Sequence, residues 1–199
     1  NRRNCRNGDF KRCASRTAAE SGQLSWLNKA MTKHAIATLV HDLGELLLPG
    51  HFKIATAESC TGGMLACAIV SDVDASSILE RAFVVYTVDA KCDMLGLERD
   101  RVEECGGVAK DVAIAMARSA LQKSDADLAV AITGFAGPRE GDEEVGLIHI
   151  ATAYAQGVHH KALHLGDIGR KAACEQAVAA ALEMMIEVSR AFFAARTSA

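Results

Sequence analysis

The chain has 199 residues, half of them hydrophobic, and a formal net charge of −3. That length suits one well-buried domain rather than two. The mild acidity, with no basic run interleaved with aromatics in the central region, argues against nucleic acid as a partner and for a small molecule.

No apolar run approaches the roughly 18 residues of a membrane span, and the amino end lacks the apolar core of a secretory signal. Seven cysteines, an odd number with no C-x-x-C pair, read as reduced thiols in a cytoplasmic protein. In chain order, Asn1–Gly22 is polar and basic, with five arginines and one lysine in its first sixteen residues. It reads as a poorly ordered tail, with an Arg-rich transit peptide or basic arm as the alternative; the domain proper is expected over residues 23–199. Leu24–Leu48 repeats apolar residues at three and four spacing, an amphipathic helix that Pro49-Gly50 stops.

Ile54–Gly63, I-A-T-A-E-S-C-T-G-G, runs from a short apolar stretch into small polar residues and a glycine pair, the pattern of a buried strand turning into a helix. Met64–Val70 continues as that helix and Asp72–Ser77 as a polar loop. Phe83–Val88 reads as a second strand, rich in β-branched and aromatic residues, with Lys91 just past its end. Short helices are expected over Ala90–Leu97 and Arg99–Cys105, a break at Gly106-Gly107, and a longer helix over Lys110–Lys123. Asp127–Thr133, a continuous apolar run, is the strand expected to be buried on both faces. Val145–Tyr154 and Val158–Leu165 form a hairpin around Gln156-Gly157, and Lys171–Phe193 a closing helix. This order predicts a three-layer α/β/α sandwich with a mixed sheet.

Ligands in such sheets bind at the carboxyl ends of strands, where N–H groups at a helix start attract anions. Three loops are expected there: one with Ser59, Thr61, Gly62 and Gly63, one with Tyr86 and Lys91, and one with Thr133 and Gly134–Pro138. A serine needs a base to become a nucleophile, and a lysine serves once burial lowers its pKa. Local chemistry leaves alternatives open at each position. Ser59 or Thr61 also suits a helix cap, Lys91 a solvated surface lysine, Tyr86 an ordinary strand residue. Glu58 suits an ion-pair partner, a capping carboxylate or a catalytic acid, and Cys60 a packed thiol rather than a nucleophile. No His, Asp or Glu spacing forms a ligand set, so neither metal nor cofactor is expected.

The pieces A-T-A-E-S-C-T-G-G (Ala55–Gly63), E-R-A-F-V-V-Y (Glu80–Tyr86), D-A-K (Asp89–Lys91), D-L-A-V-A-I-T-G-F-A-G-P (Asp127–Pro138) and V-G-L-I-H-I-A (Val145–Ala151) resemble the CinA carboxyl-terminal domain family, whose characterised activity is nicotinamide-nucleotide amidase. The resemblance implies metal-independent hydrolysis of nicotinamide mononucleotide by a serine–lysine dyad, falling here on Ser59 and Lys91 with Tyr86 in support. It places Thr61, Gly62, Gly63, Ser77, Thr133, Gly134, Gly137 and Arg170 around the substrate, with Thr61–Gly63 amides facing the oxyanion, and suggests a homodimer. This chain departs from the family at Val88, where an asparagine is usual, at Ala109, where a serine is usual, and in an acidic loop with Glu140, Asp142, Glu143 and Glu144. Those departures raise a competing expectation, a diverged nucleotide-binding or regulatory module without catalysis. The family's competence label suggests DNA processing as a third, against which the net charge argues.

Overall fold

Small side chains decide how this sheet is covered. The computed structural model of the chain describes residues 34–197; the expected tail Asn1–Gly22 and the first part of the Leu24–Leu48 helix lie outside them. Five strands, β1 (Ile54–Glu58), β2 (Leu79–Val84), β3 (Leu128–Gly134), β4 (Leu147–Tyr154) and β5 (Gly157–His164), form one sheet in the order β2-β1-β3-β4-β5. β1 runs parallel to β2 and β3, whereas β3, β4 and β5 are successively antiparallel. The sheet is therefore mixed, and β1 is central to its parallel half.

Side chains alternate between the two faces of each strand. One face presents Ile54, Leu128, Val130, Ile132, Ile148 and Ile150 to α1 (34–47), α2 (Met64–Val70) and α6 (Arg170–Thr197). The other presents Ala55, Ala57, Ala129, Ala131, Ala151 and Ala153 to α5 (Lys110–Gln122), with α3 (Val88–Leu95) and α4 (Arg99–Glu104) beside it. A face of alanines lets α5 lie close to the strands, and its own Ala113, Ala117 and Ala120 complete that approach. The result is the expected α/β/α sandwich, its two cores separated by the sheet.

Several boundaries differ from those expected. α2 begins and ends as predicted, but β2 is Leu79–Val84 rather than Phe83–Val88. Thr87 instead caps α3, its Oγ1 accepting from Ala90 N–H at 3.0 Å, so the β-branched residues past Val84 serve a turn and a helix start. Lys91 consequently sits inside α3. The hairpin pairs Tyr154 with Gly157, which puts Ala155-Gln156 at its tip. No helix among the described residues is long and apolar enough to cross a membrane.

Candidate active site

The carboxyl edge of β1 is drawn into the sheet beyond the strand itself. Ser59 N–H donates to Ile132 O at 2.9 Å, and Val85 N–H to Glu58 O at 2.8 Å, so Ser59 is fixed between the ends of β3 and β2. After Ser59 the chain turns through Gly62 and Gly63, both at positive φ (60° and 96°), a conformation that favours glycine.

This turn is organised by Glu58, whose side chain is fully buried. Its carboxylate accepts from Thr61 Oγ1 (2.7 Å), Gly63 N–H (3.1 Å), Leu65 N–H (3.0 Å) and Ala66 N–H (2.9 Å). The positive end of α2 thus meets the buried carboxylate with amide donors. Of the roles open to Glu58 in the sequence, the capping carboxylate is the one observed. The same bonds commit Thr61 and Gly63 inward, and Gly62 N–H turns back to Ser59 O at 3.1 Å. The start of α2 thus receives an anion from the protein itself.

Lys91 approaches Ser59 from α3. Its side chain is only 3% exposed, and Nζ lies 3.0 Å from Ser59 Oγ, 3.1 Å from Val85 O and 3.3 Å from Tyr86 O. Burial lowers its pKa below the ordinary lysine value, an effect that Cys60, Cys105 and Cys92 oppose only as thiolates. Nζ has three acceptors within donating reach, Ser59 Oγ and the two carbonyls; in a neutral amine, two N–H bonds to the carbonyls would leave one lone pair for the serine hydroxyl. Should the amine take a proton, the same two carbonyls stabilise the ammonium.

Cys60 is a poor competitor for the role of nucleophile. Burial, with Cys174 adding to it, pushes its thiol up to about 12, so it holds its proton at neutral pH. Cys174 S–H donates to Cys60 O at 3.3 Å.

A cleft of about 270 Å³ opens over the pair, lined among others by Ser59, Tyr86, Lys91, Gly134, Gly137, Glu140, Glu143 and Arg170. Arg170, first residue of α6, donates to Gly137 O at 2.8 Å and to Tyr86 Oη at 3.0 Å, tying the loop after β3 to the loop after β2. Gly134 leaves no room for a side chain beside β4, since a Cβ there would stand 2.7 Å from Ile148 Cα. Thr133 is fully buried and donates to Gly107 O at 2.7 Å, behind the cleft rather than in its lining. Ser77 is not brought here; it precedes β2 at the opposite end of the sheet, where its carbonyl accepts from Lys53 Nζ at 2.5 Å. A larger hollow of about 320 Å³ lies at that opposite end, mostly among apolar residues such as Leu47, Phe52 and Leu128.

Several contributors carry little signal in the sequence. The carbonyls of Val85 and Tyr86 act through the backbone, which any residue supplies. Gly106 and Gly107 are legible as a break but not as neighbours of Lys91. Among the described residues, no group of three or more His, Cys, Asp or Glu is placed to hold a metal ion.

A family model for the CinA C-terminal domain matches residues 36–189. Nicotinamide-nucleotide amidohydrolase PncC of Escherichia coli strain K12 is 37% identical over 159 residues, covering 78% of this chain and 95% of that protein. A CinA-like protein of Mycobacterium sp. strain JLS is 47% identical over 106 residues, 53% of this chain but 25% of that longer protein. Of solved structures, competence/damage inducible protein CihA from Agrobacterium tumefaciens matches with a TM-score of 0.74 at 42% identity, over 77% of this chain and 94% of that one. A competence-damaged protein (CinA) superfamily protein from Escherichia coli matches with a TM-score of 0.72 at 30% identity, over 77% and 90%.

Proposed function

The chain belongs to the CinA C-terminal domain family, and from that premise we propose that it hydrolyses the carboxamide of nicotinamide mononucleotide to nicotinate mononucleotide and ammonia. Ser59 is the nucleophile and Lys91 its base, with no metal taking part. The observation that carries this reading is the 3.0 Å approach of the buried Lys91 amine to Ser59 Oγ, within the reach required of such a pair.

Lys91 takes the Ser59 proton as Oγ bonds to the amide carbon, and the carbonyl π electrons move to oxygen. Amides of the cleft lining, with Cys60 N–H next to the nucleophile, supply the oxyanion's donors in this reading. Collapse breaks the C–N bond, Lys91 returns its proton to the departing nitrogen, and ammonia leaves. Water then attacks the acyl-enzyme, passing one proton to Lys91, which restores it to Ser59 as the acid departs, its remaining proton lost to solvent to leave the carboxylate.

The substrate's charges find partners in the lining. Its pyridinium ring is cationic, which suits Glu140 and Glu143. Its phosphate suits Arg170, which stands in the first turn of α6, where the helix dipole also favours an anion. In the same reading the protein acts in the cytoplasm as a homodimer on a small nucleotide, without nucleic acid or membrane.

The acidic loop also supports a second reading, a diverged nucleotide-binding module, because carboxylates near the phosphate would weaken the usual substrate. The deciding experiment supplies nicotinamide mononucleotide and follows ammonia and nicotinate mononucleotide together. Equal release of both, lost in Ser59→Ala, is expected. Nucleotide binding by calorimetry with no turnover of this or related amides would decide for the second reading.

A further inference from the structure

Helix α3 by itself does not account for the dryness of Lys91. The other side of its amine is covered by the loop Gly106–Val108: a Cβ on Gly107 would lie 3.4 Å from Lys91 Nζ, 3.5 Å from Cε and 3.8 Å from Cδ. Gly107 therefore faces the last atoms of the lysine, and a Cβ there would stand in ordinary van der Waals contact with the amine. Gly107 has φ +76°, a conformation that favours glycine.

The loop's own bonds are local. Gly106 N–H donates to Glu103 O, Gly107 N–H to Val102 O and Val108 N–H to Cys105 O, at 3.1, 2.7 and 3.1 Å, all of them back to α4 or its end. Among the described residues, the hydrogen bond that ties this loop to the sheet is the one from Thr133 Oγ1 to Gly107 O. Both groups are buried, so neither is readily compensated by water if the other is removed.

We propose that Thr133 is a positioning residue of the dyad: its hydroxyl pins the Gly107 backbone over Lys91 as a water-excluding roof, which keeps the amine in the neutral form that accepts the Ser59 proton. Thr133 touches neither substrate nor the reacting atoms in this account. The inference rests on the amidase reading for its kinetic consequence, but not for its effect on Lys91.

Other groups near the amine do not substitute for the roof. Cys60 from the β1 turn, Cys92 from α3 and Cys105 from the end of α4 act on it only when ionised. Glu140 and Glu143 share the cleft and favour the ammonium, while Arg170 and the Tyr86 hydroxyl, also in its lining, are engaged with each other. Exclusion of water is thus the main influence favouring the neutral amine.

The test compares wild type with Thr133→Val, Thr133→Ala and Thr133→Ser. Two quantities are read against pH: kcat/KM for nicotinamide mononucleotide, and the acetylation of Lys91 by trace acetic anhydride, followed by mass spectrometry, which needs no substrate. Removing the hydroxyl should move the acid limb of kcat/KM and the Lys91 labelling midpoint upward together, by about one pH unit, whereas Thr133→Ser should leave both in place. Thr133→Ala provides the same comparison should the valine methyl prevent folding. A fall in kcat with both midpoints unmoved would overturn the proposal and leave Thr133 a purely structural residue. No turnover by wild type, with the labelling midpoint still shifted in the variants, would overturn the substrate reading while supporting the roof.

Discussion

The carboxylate of Glu58 accepts the Thr61 hydroxyl at 2.7 Å while three backbone amides of the α2 start donate to the same group. A helix start that would otherwise attract a substrate anion is thereby filled from within. Its role becomes holding the Ser59 turn still, and under the proposed amidase function the phosphate of the substrate is left to the far side of the cleft, where Arg170 stands.

Replacing Glu58 by Gln keeps the shape but turns an acceptor toward a donor at the heart of that network. Because each lost charge-assisted bond leaves a buried donor unmet, Glu58→Gln should cost about 3 kcal/mol of stability and lower the thermal midpoint by roughly 6–12 °C. Calorimetry checks this. The activity of the remaining folded protein should also fall, because the turn that carries Ser59 loosens.

Arg170 bridges Gly137 O and Tyr86 Oη with separate guanidinium nitrogens, a fork that a single ammonium does not reproduce. Arg170→Lys should reduce kcat/KM for nicotinamide mononucleotide by about 10–100-fold, chiefly through KM. Steady-state kinetics with the phosphate-free riboside alongside separates two effects. A larger penalty on the nucleotide assigns Arg170 to the phosphate, and equal penalties assign it to holding the two loops.

Thr56 and Thr152 flank Val130 in the sheet, and among the described residues both buried hydroxyls have no hydrogen-bond partner. Valine fills the same volume without a polar atom to desolvate. Thr56→Val and Thr152→Val should each raise stability by about 1 kcal/mol, seen as a thermal midpoint roughly 2–4 °C higher, with activity unchanged.

His149 and His160, on adjacent strands β4 and β5, share one hydrogen bond at 3.1 Å between ring nitrogens. Burial lowers both pKa values, with His164 adding to the effect on His149 and His149 to that on His160. Below the ordinary histidine value of about 6.5 the unfolded chain therefore binds more protons than the folded one. Stability present above that pH is lost as the pH falls. Thermal melts between about pH 7 and pH 5 should show a steeper decline in wild type than in His160→Gln.

Much of this arrangement was legible where local pattern and tertiary role agree. The continuous apolar runs of β1 and β3 follow from burial on both faces, and the glycine pair at Gly62-Gly63 from its positive φ. β2 was harder to place because Val84, Val85 and Val88 look like one strand, while Thr87 between them caps a helix. Ser77 is close to the site only by motif; parallel pairing of β2 with β1 sends the residues before Leu79 to the other end of the sheet. The motif places Thr61 and Thr133 around the substrate, but their hydroxyls face Glu58 and Gly107, which depends on which side of the strand end each occupies. No residue type near position 107 announces that its backbone covers Lys91.

Reaction of Ser59 with a fluorophosphonate, located by mass spectrometry and timed across pH, tests the dyad without presuming a substrate. Wild type should acquire one adduct on Ser59, at a rate that rises through a midpoint below the ordinary lysine pKa, and Lys91→Ala should slow it by about a thousandfold. An unchanged rate in Lys91→Ala, or an adduct on Cys60 in place of Ser59, would contradict the account.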